Sequence, residues 1–499
     1  MSGSEPTNGT PLANASPAAG GTLRQRTMKS LFWQLLGVGG QRAVVLVQPI
    51  VLARSGWITP TDVAAFVVVT VGIGIVEALT TFVGEQTTIV SERGTDRRYL
   101  DTVFTVRLLR ALGVCAVLCA LSWPLGDFFA SPESATYWLP GMFLCLSFTG
   151  LLDALQSPAR AVAMKSLDFR RLVVADFTAA LLATATTIAL AAQGLAAWSL
   201  VIGHMANPLL RSLLGYWAAP HRPRFCLDRG AVKELLHYNL GAAGAPFVLL
   251  MVFSAPAMVF HKLVGDDRTL GQYEFASKLA RLPEDVFLRV VGAVAVPAYA
   301  QLRQDRARLT EAWLQAVQAF LVLGGALTIA MAWCGDTLPL LLFSEQYGVV
   351  PGLFALLCAH GGVAGLCAVV GPLLWAVGKP SIDRNAQTLR CLIVYGAGIP
   401  AALQWGALGF AAATILGITA ALLWSCWAVI DYLGLPLRRL LTVLVRGSGL
   451  AFALLLGLLA VDLAFAPTGT ARLLVAMSGG ALAIAKPALR LLRQRRARN

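Results

Sequence analysis

The 499-residue chain is expected to fold as an all-α polytopic membrane protein with about fourteen transmembrane helices. Three observations predict this. The composition is 57 % hydrophobic and only 13 % charged, where soluble domains carry about 25 % charged residues. Mean hydropathy is +0.69. Apolar runs of about 20 residues, each long enough to cross a bilayer, recur along almost the whole chain. Fourteen spans would occupy roughly 280 positions, and no polar, well-mixed stretch is left over for a separate soluble enzyme.

Residues 1–22 are rich in Gly, Ala, Pro, Ser and Thr and lack an apolar period, so 1–28 is expected to be a disordered cytoplasmic tail. The basic cluster Arg24, Arg26 and Lys29 precedes a first apolar run too long and too polar in its middle for a cleaved signal peptide. Spans then follow near 31–53, 62–83, 103–125, 137–157, 172–193, 196–219, 237–260, 273–297, 312–334, 350–376, 391–405, 407–430, 447–466 and 472–489. Alternate connections carry the cations: Arg93, Arg97 and Arg98; Arg160, Lys165, Arg170 and Arg171; Arg222, Arg224, Arg229 and Lys233; Arg303, Arg306 and Arg308; Lys379, Arg384 and Arg390; Arg438, Arg439 and Arg446. The connections between them hold little beyond Arg54, Lys262 and Arg268. The positive-inside rule therefore places both termini in the cytoplasm. It also accounts for most of the +14 net charge without nucleic acid, since the cations are dispersed and no aromatic platform accompanies them. Two pseudo-symmetric six-helix lobes emerge, 29–219 and 237–430, joined by a cytoplasmic connection at 220–236, with spans 13 and 14 and a basic tail in 431–499.

A charge at the bilayer centre costs about 2.5–3.5 kcal/mol, so each needs a partner or a watery cavity. Span 8 is the densest case, with Lys278, Arg281, Glu284, Asp285 and Arg289 beside Pro283. All five facing lipid would cost on the order of 15 kcal/mol. Lys278, Arg281, Asp285 and Arg289 recur at helical spacing on one face, which fits either the lining of an aqueous cavity or an internal salt ladder. His204, Asn207 and Arg211 form a second stripe beside Pro208 in span 6; span 1 carries Gln34, Gln41, Arg42 and Gln48; Glu77 lies in span 2. Asp153 and Asp176 read as interfacial, and His360 reads as a packing histidine on an apolar face. The nine cysteines lie almost entirely within apolar runs and read as small core residues. No cluster has metal-ligand spacing, so neither a metal nor a cofactor is expected.

Taken together, Arg42, Arg211, Lys278, Arg281 and Arg289 outnumber Glu77, Glu284 and Asp285. Guanidinium groups grip phosphate oxygens bidentately and stay charged when desolvated, so this balance suits an anionic, pyrophosphate-bearing substrate. A drug or cation exporter would need the opposite excess. A membrane-bound polymerase or glycosyltransferase would need more substantial, carboxylate-bearing outer loops than GDFFASPESAT or PTGTA.

Three blocks carry a family resemblance: LFWQLLGVGGQRAVVLVQPIVLARSGWITPTDVAAF at 31–66, ALQSPARAVAMKSLDFRRL at 154–172, and LGQYEFASKLARLPEDVFLRVVGAVAVPAYAQLRQDRARL at 270–309. Their order and spacing resemble the Wzx-type oligosaccharide flippases. These sit in the superfamily that also holds the lipid II flippase and the multidrug and toxic compound extrusion transporters. The resemblance implies two six-helix lobes forming a V around a central cavity and working by alternating access. It also implies an undecaprenyl-pyrophosphate-linked oligosaccharide moved from the cytoplasmic to the periplasmic leaflet of a bacterial inner membrane. A polysaccharide polymerase, chain-length or export machinery and membrane lipids would be its partners. On that reading Arg42, Arg211, Lys278, Arg281 and Arg289, with Gln41, His204 and Asn207, contact substrate, and Glu77, Glu284 and Asp285 are candidates for coupling to an ion gradient. Drugs or small cations, and lipid II, are the alternative cargoes. One departure stands out: where such proteins often carry an Asp at the end of span 7, this chain reads Ser254-Ala-Pro-Ala-Met-Val-Phe-His.

Overall fold

The computed structural model describes residues 23–80, 87–88, 91, 93–130, 138–165, 169–242, 251, 262, 267–282, 284, 299, 302, 304–465, 471–472, 474–476 and 478–479. Among the described residues all regular structure is helical. The elements are α1 (Leu23–Ser55), α2 (Pro60–Leu79), α3 (Arg97–Phe129), α4 (Leu139–Leu146), α5 (Thr149–Ala154), α6 (Ala159–Lys165), α7 (Arg170–Ala192) and α8 (Ala197–Ala218). They continue with α9 (Arg229–Ala242), α10 (Asp267–Ala280), α11 (Arg306–Cys334), α12 (Thr337–Phe343), α13 (Leu353–Ala376), α14 (Pro380–Leu433) and α15 (Leu437–Phe465). Seven of these are long and apolar enough to cross a membrane, and a bent pair, Leu139–Ala154 with Ala159–Lys165, makes an eighth. The expected spans 1 and 6 correspond to α1 and α8. Most of spans 7, 8 and 14 lies outside the described residues.

Two compact units result, Met1–Ile58 with Ala65–Leu250, and Thr59–Ala64 with Met251–Asn499. In the first, α1 approaches α7 through small residues. A Cβ on Gly37 would lie 2.5 Å from Val173, and one on Gly40 would lie 2.9 Å from the Phe177 ring. Close backbone approach of this kind is how helices gain packing energy where lipid offers no hydrophobic drive. The second unit is centred on Trp313, Phe320, Leu373 and Val429, all at most 2 % exposed.

Span 4 departs from the single helix expected at 137–157. It is divided into α4 and α5, and α6 follows just beyond it after a 55° bend. Local and distant contacts combine: Pro158 has no N–H to continue the ladder, Ser147 turns its hydroxyl onto the Leu144 carbonyl at 2.6 Å, and Ser157 donates to the distant Ala219 carbonyl at 2.7 Å.

Helix α14 behaves oppositely. Its 54 residues would extend about 80 Å if straight, more than twice a bilayer core. The chain breaks at Gly406, with φ 57° and ψ −139°, at the junction expected between spans 11 and 12. A residue with a Cβ adopts that conformation only at a cost in strain. Gly406→Ala is therefore expected to destabilise the protein by about 1–3 kcal/mol. Gly396→Ala, inside the same helix with nothing within 4 Å of its Cβ position, is expected to stabilise it by about 0.5–1 kcal/mol. Thermal unfolding of the two purified variants in detergent should show midpoints shifted in opposite directions.

Candidate functional site

In the first unit a charged triad joins three helices. Arg160 of α6 donates through Nη1 to Asp176 Oδ1 at 3.0 Å and through Nη2 to Oδ2 at 2.9 Å. Arg211 of α8 donates through Nε to the same Oδ1 at 3.0 Å. Side-chain exposure rises along the series, from 1 % at Arg160 through 17 % at Asp176 to 38 % at Arg211. From the sequence, Asp176 is expected near the cytoplasmic end of span 5 and Arg160 in the connection before it. Asp176 is the shared acceptor of two guanidiniums, and Arg160 is fully buried, because the bend at Pro158 turns α6 back against α7. His204 and Asn207 lie on the same face of α8 as Arg211, both exposed, with the His204 ring edge-on to Phe66 at 5.6 Å. On α1, Gln41 is half-buried and the Gln48 carbonyl oxygen accepts from Thr184 at 3.3 Å. The Arg42 side chain lies outside the described residues.

Glu77 is half-buried near the end of α2, seated over Gly150, whose missing Cβ would lie 2.6 Å from Glu77 Oε1. Two arginines of α3 bind the neighbouring backbone. Arg110 donates to the Thr80 carbonyl and, at 3.1 Å, to that of Glu77. Arg107 donates to the Ala154 carbonyl at 3.0 Å and to that of Gln156. Both use a cation where a helix end presents partial negative charge.

In the second unit Lys278 is exposed, 3.5 Å from Glu274 and over the Phe275 ring. Arg281 and Glu284 are half-buried; Asp285 and Arg289 lie outside the described residues. Arg390, counted in the sequence among loop cations, is ten residues into α14 and 3 % exposed, with Nη2 donating to His360 Nε2 at 3.2 Å. His360 thus has a polar partner on its supposedly apolar face. Pro380 at the first position of α14 was the available signal, since it starts the helix well before Arg390.

The connection after α8 is an extended strap bonded to α3. His221 Nε2 lies 2.8 Å from Asp101 Oδ1, which also accepts from the Arg224 amide at 3.2 Å. The amides of Cys226 and Asp228 donate to the hydroxyls of Thr105 and Thr102, both at 3.1 Å. Those hydroxyls spend their own protons on carbonyls one turn back, Asp101 and Arg98, both at 2.8 Å. Asp228 meets Arg93 at 2.9 Å; this bond holds the Asp228 carboxyl below, and the Arg93 guanidinium above, its usual range.

Two outcomes are expected. Asp176→Asn, which leaves Arg160 buried without its counter-charge, should cost about 3–5 kcal/mol, whereas Arg211→Gln, at the exposed end, should cost about 1 kcal/mol or less; thermal unfolding in detergent measures both. For the strap, a carboxyl with a depressed folded-state pKa contributes stability above its unfolded value, about 3.9, and loses it as pH falls through the lower folded value. Hydrogen exchange at 226–232, corrected for intrinsic rates, should stay protected down to mildly acidic pH and rise only in strong acid, and Asp228→Asn should remove that dependence.

The family model described as "Polysaccharide biosynthesis protein" matches residues 51–350, more than half of the chain. The succinoglycan biosynthesis transport protein ExoT of Rhizobium meliloti (strain 1021) is 24 % identical over 382 residues, covering 75 % of this chain and 74 % of its own. The lipopolysaccharide biosynthesis protein WzxC of Escherichia coli (strain K12) is 21 % identical over 390 residues, covering 78 % and 77 %. Among solved structures, the lipid II flippase MurJ in an inward closed conformation superposes with a TM-score of 0.70 at 14 % identity, covering 92 % of this chain and 99 % of its own. An inward-facing multidrug resistance MATE family transporter gives 0.56 at 14 % identity, covering 81 % and 95 %. The chain is a multi-pass membrane protein that belongs to the polysaccharide biosynthesis protein family, with the fold of the multidrug, oligosaccharidyl-lipid and polysaccharide exporter superfamily.

Proposed function

We propose that the protein is a flippase that carries undecaprenyl-pyrophosphate-linked oligosaccharide units from the cytoplasmic to the periplasmic leaflet of a bacterial inner membrane by alternating access, for exopolysaccharide, capsule or O-antigen synthesis. It makes and breaks no covalent bond. Its termini face the cytoplasm, and the translocated units pass to a polysaccharide polymerase with its chain-length or export machinery. The relatives named for succinoglycan and lipopolysaccharide biosynthesis support this reading across three quarters of the chain.

The observation that carries the chemistry is the graded triad. Its net charge is positive, and the surplus sits on Arg211, the member with 38 % side-chain exposure. Arg211 is bound to Asp176 through Nε, so an arriving phosphate can meet the outer guanidinium nitrogens while the buried Arg160 keeps its own partner. Pyrophosphate oxygens are well matched to such forks. In the second unit Lys278 and Arg281 provide the same sign. On this reading Arg42, Arg211, Lys278, Arg281 and Arg289 contact the pyrophosphate or acidic sugars. Gln41, His204 and Asn207 contact the glycan. Glu77, Glu284 and Asp285 couple movement to an ion gradient.

The test is transport of a fluorescent polyprenyl-pyrophosphate oligosaccharide across liposomes holding the purified protein, with and without an imposed pH gradient. Gradient-dependent movement is expected, with a loss of at least about tenfold, one charge-assisted contact, in Arg211→Gln and Arg281→Gln. No movement by folded wild-type protein with the matching glycan would overturn the function. Normal movement by both variants would remove those residues from the site.

A further inference from the structure

A cavity of about 650 Å³ lies in the second unit where the first turns of α11 meet the turn between α14 and α15. Its floor includes Leu433 and Leu435, 8 % and 6 % exposed, and its rim carries Arg306, Arg308, Glu311 and Arg439. Arg306 also lies over the Tyr432 ring at 5.2 Å, and Lys379 lies over the same ring at 4.9 Å. Three connections that are far apart in sequence thus bring four cations to one place. The carboxylates beside them are Asp305, 3.2 Å from Arg308, and Glu311, bound to Arg439.

Arg308 and Arg439 are paired with carboxylates, so the surplus positive charge falls on Arg306 and Lys379. Two cations share one aromatic ring and repel each other. Arg306 and Arg308 also occupy the first turn of α11, where the helix dipole disfavours positive charge. The Asp305 carboxylate caps this turn by accepting from the Arg308 N–H at 3.0 Å, and an anion bound between Arg306 and Lys379 would relieve their mutual repulsion.

We infer that this cavity binds the phosphate-bearing headgroup of an anionic phospholipid. The inference is separate from the transported substrate. A lipid fits better than a free ion for two reasons. The floor is apolar, and the cavity opens at the foot of α15, whose spanning window is only 11 % buried and whose Val445 and Phe452 are exposed. A headgroup held by the arginines can therefore lay its acyl chains along α15. All these cations belong to connections that the positive-inside reading assigns to the cytoplasm, the side where anionic headgroups attract basic clusters. Glu311 competes with the headgroup for Arg439, so its removal should strengthen binding.

The test uses the full chain in nanodiscs of mixed phosphatidylglycerol and phosphatidylethanolamine, with the lipid that stays bound after release identified by native mass spectrometry. Wild type should retain phosphatidylglycerol over phosphatidylethanolamine. Arg306→Gln with Arg439→Gln should lower that retention about tenfold, and Glu311→Gln should raise it. Millimolar inorganic phosphate should leave the lipid in place. Full displacement by phosphate would overturn the lipid assignment and leave a site for free phosphate. Equal retention by wild type and Glu311→Gln, or no preference for the anionic lipid, would overturn the site. The Glu311→Gln arm keeps the test decisive even if the double variant fails to fold, because a structural role for the Glu311–Arg439 pair predicts no gain of lipid.

Discussion

The bidentate bond between Arg160 and Asp176 constrains the first unit more than any other contact. Neither group can be left alone in a medium where an unpaired charge costs several kcal/mol, so the helices that carry them are obliged to meet. Arg160 can reach α7 because span 4 is broken at Ser157 and Pro158. The groups released by that break find partners nearby: Ser157 donates to the Ala219 carbonyl, and Ser212 of α8 donates to that of Leu152 at 2.7 Å. The bend, the triad and the packing of α8 on α7 are therefore one solution to one problem, the burial of a guanidinium.

The second unit meets the same constraint with different chemistry. Arg390 is as buried as its first-unit counterpart, but its described contact is a neutral acceptor. An arginine has donors only, so the His360 Nε2 that receives Nη2 carries no proton and the imidazole proton sits on Nδ1. The buried guanidinium therefore donates to an imidazole nitrogen at 3.2 Å, a contact that the Arg160–Asp176 pair does not use. Helix ends serve the same purpose for Arg107 and Arg110, whose guanidiniums bind backbone carbonyls of α2 and of the α5 turn.

The helical spans were legible because hydropathy and length act locally; the break at Gly406 was legible because no 54-residue helix fits a bilayer. The bend of span 4 was not, because it depends on what Ser157 and Arg160 bond to far along the chain. Arg390 was assigned to a loop for a specific physical reason. The positive-inside rule assigns a cation to a loop when it lies between apolar runs, yet helices begin before their apolar stretch does. Pro380 marks that earlier start for α14. For the burial of Arg160 the signal would have been Asp176, a carboxylate inside α7 that needed a cationic partner within reach. The stripe His204, Asn207 and Arg211 was read correctly as one helix face, but its ion pair with α7 was invisible to a pattern that considers one helix at a time.

The use of arginine follows from geometry as much as from charge. Asp176 Oδ1 accepts from two guanidiniums at once, and a carboxylate has lone pairs enough for this. A lysine at 160 would present one point charge and could not span both oxygens. With Asp176 saturated from the buried side, Arg211 is held by one edge of its fork, and its orientation is set before any ligand arrives. Pre-organisation of this kind lowers the ordering cost of binding. It also separates two demands that otherwise conflict: the innermost cation is neutralised and fixes the fold, while the outermost keeps its charge and its remaining donors for an anion that must be released again.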